Sequence, residues 1–173
     1  MSGKGGEKMK IIEIFGQNRE KNYTKLREGC RGILINDGKI LLSYEKRINQ
    51  YMIPGGGIEE GESLEECCIR ELGEEVGVVT NPHTLYLTLV EFYRDELFKS
   101  HYFLCSKIGE CERSLTDTEM SLGLEPKWVD IDEALRIFGS FENYKDINEM
   151  RYGLYYREHL ALCEMKKLTK PEE

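Results

Sequence analysis

One stretch, Pro54 to Val78, constrains the chain more than any other: PGGGIEEGESLEECCIRELGEEVGV. Three consecutive glycines mark a turn, and the pattern after them predicts a helix with both ends signalled. Ser63 and Glu66, three residues apart, match a capping box. Gly77 stands where a left-handed residue ends a helix. Between these marks Leu64, Cys68, Ile69, Leu72 and Val76 share one side, the side expected to pack. Gly73 runs against the helix, at a cost of about 1 kcal/mol relative to alanine, and has no sequence-level account.

The same helix carries Glu71, Glu74 and Glu75 at i, i+3 and i+4. That spacing sets three carboxylates on one turn, with Cβ atoms roughly 5–6 Å apart. Such a cluster repels itself and raises its own pKa values unless a cation neutralises it. Oxygen ligands favour Mg²⁺ or Mn²⁺ over zinc, and Mg²⁺ is commonly completed by water and substrate phosphates. A solvated acidic helix face has the same spacing, so spacing alone leaves both readings open. Gly55, Gly56 and Gly57 add backbone that a ligand can approach closely. They precede a helix N-terminus, where free N–H groups favour anions.

Elsewhere, short β-rich runs alternate with helical ones. Gly32 to Ile35 and Lys39 to Ser43 flank Asn36-Asp37-Gly38, a hairpin signal. Tyr51 to Ile53, Leu85 to Tyr93, His101 to Cys105 and Lys127 to Val129 read as further strands, with Arg94-Asp95-Glu96 as a connection. Asp132 is expected to cap a helix over Glu133 to Phe138. A terminal helix carries Ile147, Met150, Leu154, Ala161, Met165 and Leu168 in one arc, broken by Arg157 and Glu158. That arc reads as core packing, with a homodimer face as the other use of it. The fold class that follows is α/β or α+β, in one domain over residues 11–168 with tails at 1–10 and 169–173.

Charge narrows the function classes. Lys plus Arg number 24 against 32 Asp plus Glu, a net charge of −8. This acidity argues against a nonspecific nucleic-acid coat, a long RNA substrate and an anionic-membrane binder. No apolar run approaches the ~20 residues of a membrane helix. The first ten residues contain no apolar h-region, against a secretory signal. The six cysteines form no C-x-x-C motif, and His83, His101 and His159 lack ligand spacing with them. Reduced thiols in a cytoplasmic protein are the expectation.

The glycine loop and acidic helix together resemble the Nudix hydrolase signature, G-x5-E-x7-R-E-U-x-E-E-x-G-U with U aliphatic. This chain supplies Gly56, Glu62, Arg70-Glu71-Leu72, Glu74-Glu75 and Gly77-Val78, every fixed position at its spacing. The resemblance implies an α/β/α sandwich with a mixed sheet between helices. It also implies metal-dependent hydrolysis of a diphosphate linkage in a small nucleoside diphosphate derivative or nucleoside triphosphate.

Carried over by position, Glu74 and Glu75 are the principal ligands of Mg²⁺ or Mn²⁺, with the Gly56 carbonyl beside them. Glu71 is a ligand or the base, and Arg70 with Glu62 orients the carboxylates. The base otherwise comes from a later loop, where Glu119 is better placed than Glu125, which directly precedes Pro126. Arg47, with Lys46, is a candidate for neutralising phosphate, and Gly55, Gly56 and Gly57 for cradling it. Subgroups that cleave ADP-ribose carry a proline some way beyond the box, where this chain has Phe92 and Tyr93. The pattern of coenzyme A pyrophosphatases is also missing. The rival class is a catalytically silent nucleotide-binding module, which a degenerate box would favour; this box is intact.

Overall fold

Asp37 and Gly38 both have positive φ, 48° and 73°, the signature of a tight hairpin turn. They fold β2 (Lys25–Asn36) back onto β3 (Lys39–Glu45). The two strands pair only beside the turn, at Ile35–Ile40 and Asn36–Lys39, and then part. Each takes other partners beyond that point. β5 (Gly55–Gly57) pairs antiparallel with Gly29 to Arg31 of β2. β8 (Leu124–Asp130) runs antiparallel along the whole of β3, and β4 (Gln50–Met52) pairs with its last three residues. The splayed hairpin is what opens room for a site.

The computed structural model describes residues 9–16 and 20–168. The remaining elements are β1 (Lys10–Phe15), α1 (Leu64–Val76), β6 (Val78–Tyr93), β7 (Glu96–Glu110), α2 (Asp117–Leu122), α3 (Ile131–Gly139), a 3-10 turn at Ser140–Tyr144, and α4 (Glu149–Leu168). The eight strands form one mixed sheet in the order β1-β6-β7-β2-β3-β4, with β5 on β2 and β8 on β3. Alternation along β2 sends Cys30 and Leu34 to one core, where Cys67, Cys68, Leu72 and Val76 of α1 pack. It sends Ile33 to a second core on the other face, with Ala134 and Phe138 of α3 and Tyr155, Ala161, Leu162 and Met165 of α4. Helices therefore cover both faces, the expected α/β/α sandwich.

Several element boundaries differ from the sequence reading. β6 starts at Val78 rather than Leu85, because the register shift around Pro82 accommodates a residue with no N–H. β1 was not expected and pairs parallel with β6 from Lys10, so part of the anticipated tail is sheet. Residues 1–8 and 169–173 lie outside the described residues. α3 begins at Ile131 with Asp130 in the cap position and no side-chain cap bond; Asp132 lies inside the helix. On α1, Ile69 is exposed and Cys67 takes its place in the core.

The largest difference is on α4. Ile147, which precedes the helix, and Met150 on its first turn are 82% and 87% exposed, whereas Glu158, read as a break in the apolar arc, is 0% exposed. Partners on other elements explain it. Arg31 Nε lies 3.4 Å from Glu158 Oε1, and Arg157 Nη1 lies 3.3 Å from Glu91 Oε2. All six cysteines are free thiols. Among the described residues no helix is long and apolar enough to cross a membrane.

Candidate active site

α1 is capped as its sequence dictates. Ser63 Oγ accepts from Glu66 N and Glu66 returns a bond to Ser63 N, while Gly77 closes the helix at φ 71°. The 111–114 segment lies against the helix: Ser114 N donates to Glu74 O at 3.0 Å. Cys111 Sγ donates to Gly73 O at 3.7 Å. A Cβ at Gly73 would stand 3.4 Å from that sulfur, an ordinary van der Waals contact, so packing does not account for the mid-helix glycine. The helix thereby presents its three glutamates in three different settings.

Glu75 is buried at the gap between β3 and β5. Its Oε2 accepts from Ser43 Oγ at 2.8 Å and from Gly55 N at 3.1 Å. Burial pushes its carboxyl up to about 7, against the opposing pull of Ser43, Arg31 and the Gly55 N–H. Glu71, one turn earlier, is 12% exposed at its side chain, and Glu74 faces outward at 42%. Burial also raises the Glu71 carboxyl, and the charges of Glu74 and Glu119 add to that.

Gly56 lies directly over Glu71. A Cβ there would sit 2.5 Å from the Glu71 carboxyl carbon and from both its oxygens. A larger residue there would have to push the Glu71 carboxylate away from Arg70. The Gly56 carbonyl, offered by resemblance as a ligand, accepts from Cys67 Sγ at 3.7 Å. Gly55 directs its N–H to Glu75, so that group is not free for phosphate. The first turn of α1 holds Glu65 and Glu66 and a complete capping box, which makes it a poor anion site.

Arg70 is the hub of the constellation. Its Nε and Nη2 donate to Glu62 at 2.7 and 2.9 Å, and Nη2 also to Gly57 O at 2.9 Å. Nη1 reaches Glu71 Oε1 at 2.8 Å and Glu74 Oε2 at 3.2 Å. The hydrogen bond from Arg70 holds the Glu62 carboxyl below the usual range. This fork makes Arg70 more than a surface ion pair, because one guanidinium sets the positions of three carboxylates.

Glu119 sits in α2 and closes a second capping box, accepting from Thr116 N through Oε2 at 2.7 Å. Its charge acts on both Glu71 and Glu45, so it stands on the glutamate side. Glu125 pairs with Tyr44 in the β3–β8 register, one residue out of phase with Ser43, and belongs to the opposite face. Arg47 is exposed in the β3–β4 turn, its backbone N–H held by Leu122 O at 3.1 Å. The sequence reading missed Ser43, whose only signal is one hydroxyl in an otherwise apolar run, and Arg31, which acts on Glu75 from β2.

Among the described residues no three His, Cys, Asp or Glu side chains stand together as a group that could hold a metal ion by themselves. Apart from Arg70, the groups acting on Glu71 are the carboxylates of Glu74 and Glu119. That set fits a hard cation that keeps waters and takes phosphate oxygens, and it does not fit a closed zinc site.

A family model described as NUDIX domain matches residues 26–149. The chain is 26% identical over 136 residues to the RNA pyrophosphohydrolase of Sphingopyxis alaskensis, covering 65% of this chain and 84% of that protein. It is 32% identical over 95 residues to the ADP-ribose pyrophosphatase of Methanocaldococcus jannaschii, covering 45% of this chain and 55% of that protein. Among solved structures, a NUDIX hydrolase from Nitrosomonas europaea superposes with a TM-score of 0.55 at 24% identity, over 65% of this chain and 78% of that one. That likeness is one of fold.

Proposed function

The chain belongs to the Nudix family and is a pyrophosphohydrolase of it, and on that premise we propose that it cleaves the diphosphate linkage of a small nucleotide derivative using Mg²⁺ or Mn²⁺ at Glu71, Glu74 and Glu75. The observation that carries this reading is the Arg70 fork, which holds the Glu62, Glu71 and Glu74 carboxylates together beside Glu75 on α1. Carboxylates that raise one another's protonation, as Glu74 and Glu119 do for Glu71, are suited to a cation that would neutralise them.

When bound, the cation offsets charge on phosphate oxygens and lowers the pKa of a coordinated water. The protein's own groups do the rest. Arg70 holds Glu62, Glu71 and Glu74 in register, and Glu75 is fixed from behind by Ser43 and Gly55. Glu119 takes the proton of the attacking water, since its Oε2 is engaged with Thr116 and its Oε1 is left for that role. The intact set of glutamates supports turnover over a silent binding module.

The names of the two relatives share a pyrophosphate bond and differ in what flanks it. The net charge of −8 supports the smaller kind of substrate. The test is a panel of ADP-ribose, nucleoside triphosphates and a 5′-triphosphorylated RNA oligonucleotide, with Mg²⁺, Mn²⁺ or EDTA, and products separated by ion exchange. Metal-dependent turnover of a small nucleotide is expected. Turnover of the RNA alone would overturn the size assignment, and tight binding without turnover of anything would restore the silent module.

A further inference from the structure

Ser43 interrupts an apolar strand. Along β3, Ile40, Leu41 and Leu42 are fully or almost fully buried, and Ser43 is as buried as they are. A β-branched or aliphatic residue is the ordinary choice at such a position. A buried hydroxyl is costly unless it has a partner. The partner here is Glu75 Oε2, at 2.8 Å, with Ser43 donating.

Gly55 N donates to that same oxygen at 3.1 Å. Both donors thus converge on Oε2, and no hydrogen bond from the described side chains or loops reaches Oε1. The two come from different strands, β3 and β5, on either side of the gap left by the splayed hairpin. A carboxylate gripped through one oxygen from two directions cannot rotate freely, and its second oxygen is presented in a fixed direction. Glycine supplies its N–H as backbone, so among the described residues Ser43 is the only side chain in this grip. Second-layer partners of this kind orient metal ligands in general.

We propose that Ser43 is a positioning residue for the cation site, holding Glu75 through Oε2 so that Oε1 is presented to the metal. This rests on the reading of Glu75 as a metal ligand under Proposed function. Ser43 touches neither cation nor substrate.

The experiment measures the Mn²⁺ dissociation constant of the full chain by water-proton relaxation, for the parent, Ser43→Ala, Ser43→Thr, Glu75→Gln and the Ser43→Ala/Glu75→Gln double variant. Circular dichroism melts in EDTA report folding. Ser43→Ala is expected to weaken Mn²⁺ binding about ten- to a hundredfold. Ser43→Thr, which keeps the hydroxyl, is expected to recover most of it. In the Glu75→Gln background the alanine change is expected to add little, because the oxygen it orients no longer binds. Equal Mn²⁺ affinity in the parent and Ser43→Ala would overturn the assignment. So would a loss of the same size in the Glu75→Gln background, which would mark a merely structural role. If Ser43→Ala does not fold, the near-isosteric pair Ser43→Thr and Ser43→Val decides: weaker Mn²⁺ binding in the Val variant than in the Thr variant upholds the hydroxyl's role, and equal binding in the two overturns it. A parent that binds no Mn²⁺ would instead remove the metal reading itself, a separate failure.

Discussion

Gly56 and Glu71 are packed so closely that a single methyl group on residue 56 would stand 2.5 Å from the carboxylate's carbon and both its oxygens. Gly57, the next residue, has open space: its nearest neighbour to such a methyl is Glu28 O at 4.0 Å. The two glycines share a strand and differ in what lies beneath them. Gly56→Ala is expected to displace Glu71 and to lower kcat by about tenfold or more. Gly57→Ala is expected to stay within about twofold. Both are checked by steady-state rates on the best substrate from the panel, and equal effects would contradict the packing account.

Glu119 is assigned a proton, not a metal. Glu119→Gln should therefore lower kcat by about 10²- to 10⁴-fold, the usual range for losing a general base. Mn²⁺ affinity should change little. Paired kinetics and relaxation titrations separate the two, and a loss of metal affinity matching the loss in rate would place Glu119 among the ligands. Because Glu119 also caps α2, Glu119→Asp is a useful companion for judging local folding.

Glu158 ties α4 to the sheet through Arg31. Removing one member of a buried ion pair leaves the other charge uncompensated, at a typical cost of about 3–5 kcal/mol. Glu158→Ala is expected to lower the urea midpoint accordingly, with Glu158→Gln less severe. A change below about 1 kcal/mol in both would show that the cluster is solvated in practice.

The pH dependence of the metal-free chain follows from Glu75. Its carboxyl is raised by burial from 4.5 to about 7 in the folded state. Between those values the folded chain holds a proton that the unfolded chain has released. Folding is therefore favoured as pH falls through 7 toward 4.5, and that gain is lost as pH rises through the folded value. Urea midpoints in EDTA at pH 5.5 and 8, for parent and Glu75→Gln, isolate this group from other buried carboxylates. The parent should gain more on acidification than the variant does. An identical gain in both would contradict the assignment.

What could be read from the sequence was local. The caps of α1 are set by Ser63, Glu66 and Gly77 within one helix, and the spacing of Glu71, Glu74 and Glu75 needs no tertiary information. Glu158 was misread because the arginine that licenses its burial lies on β2, far away in the chain. Periodicity sees an isolated charge in an apolar arc and calls it a break. Met150 shows the converse, an apolar residue on the same helix left facing solvent. Ser43 was invisible for the reason that Glu158 was, since its meaning comes from a helix thirty-two residues on. The acidity of the chain is partly this one helix face. Under the proposed function that face would draw a cation, and phosphate would meet the cation first.

The most direct test of the central claim is the rate of diphosphate hydrolysis with Mg²⁺ and with EDTA, in the parent, Glu74→Gln and Glu75→Gln. The account predicts turnover only with metal, and a loss of at least about a hundredfold in each variant. Turnover that persists in EDTA and in both variants would contradict it.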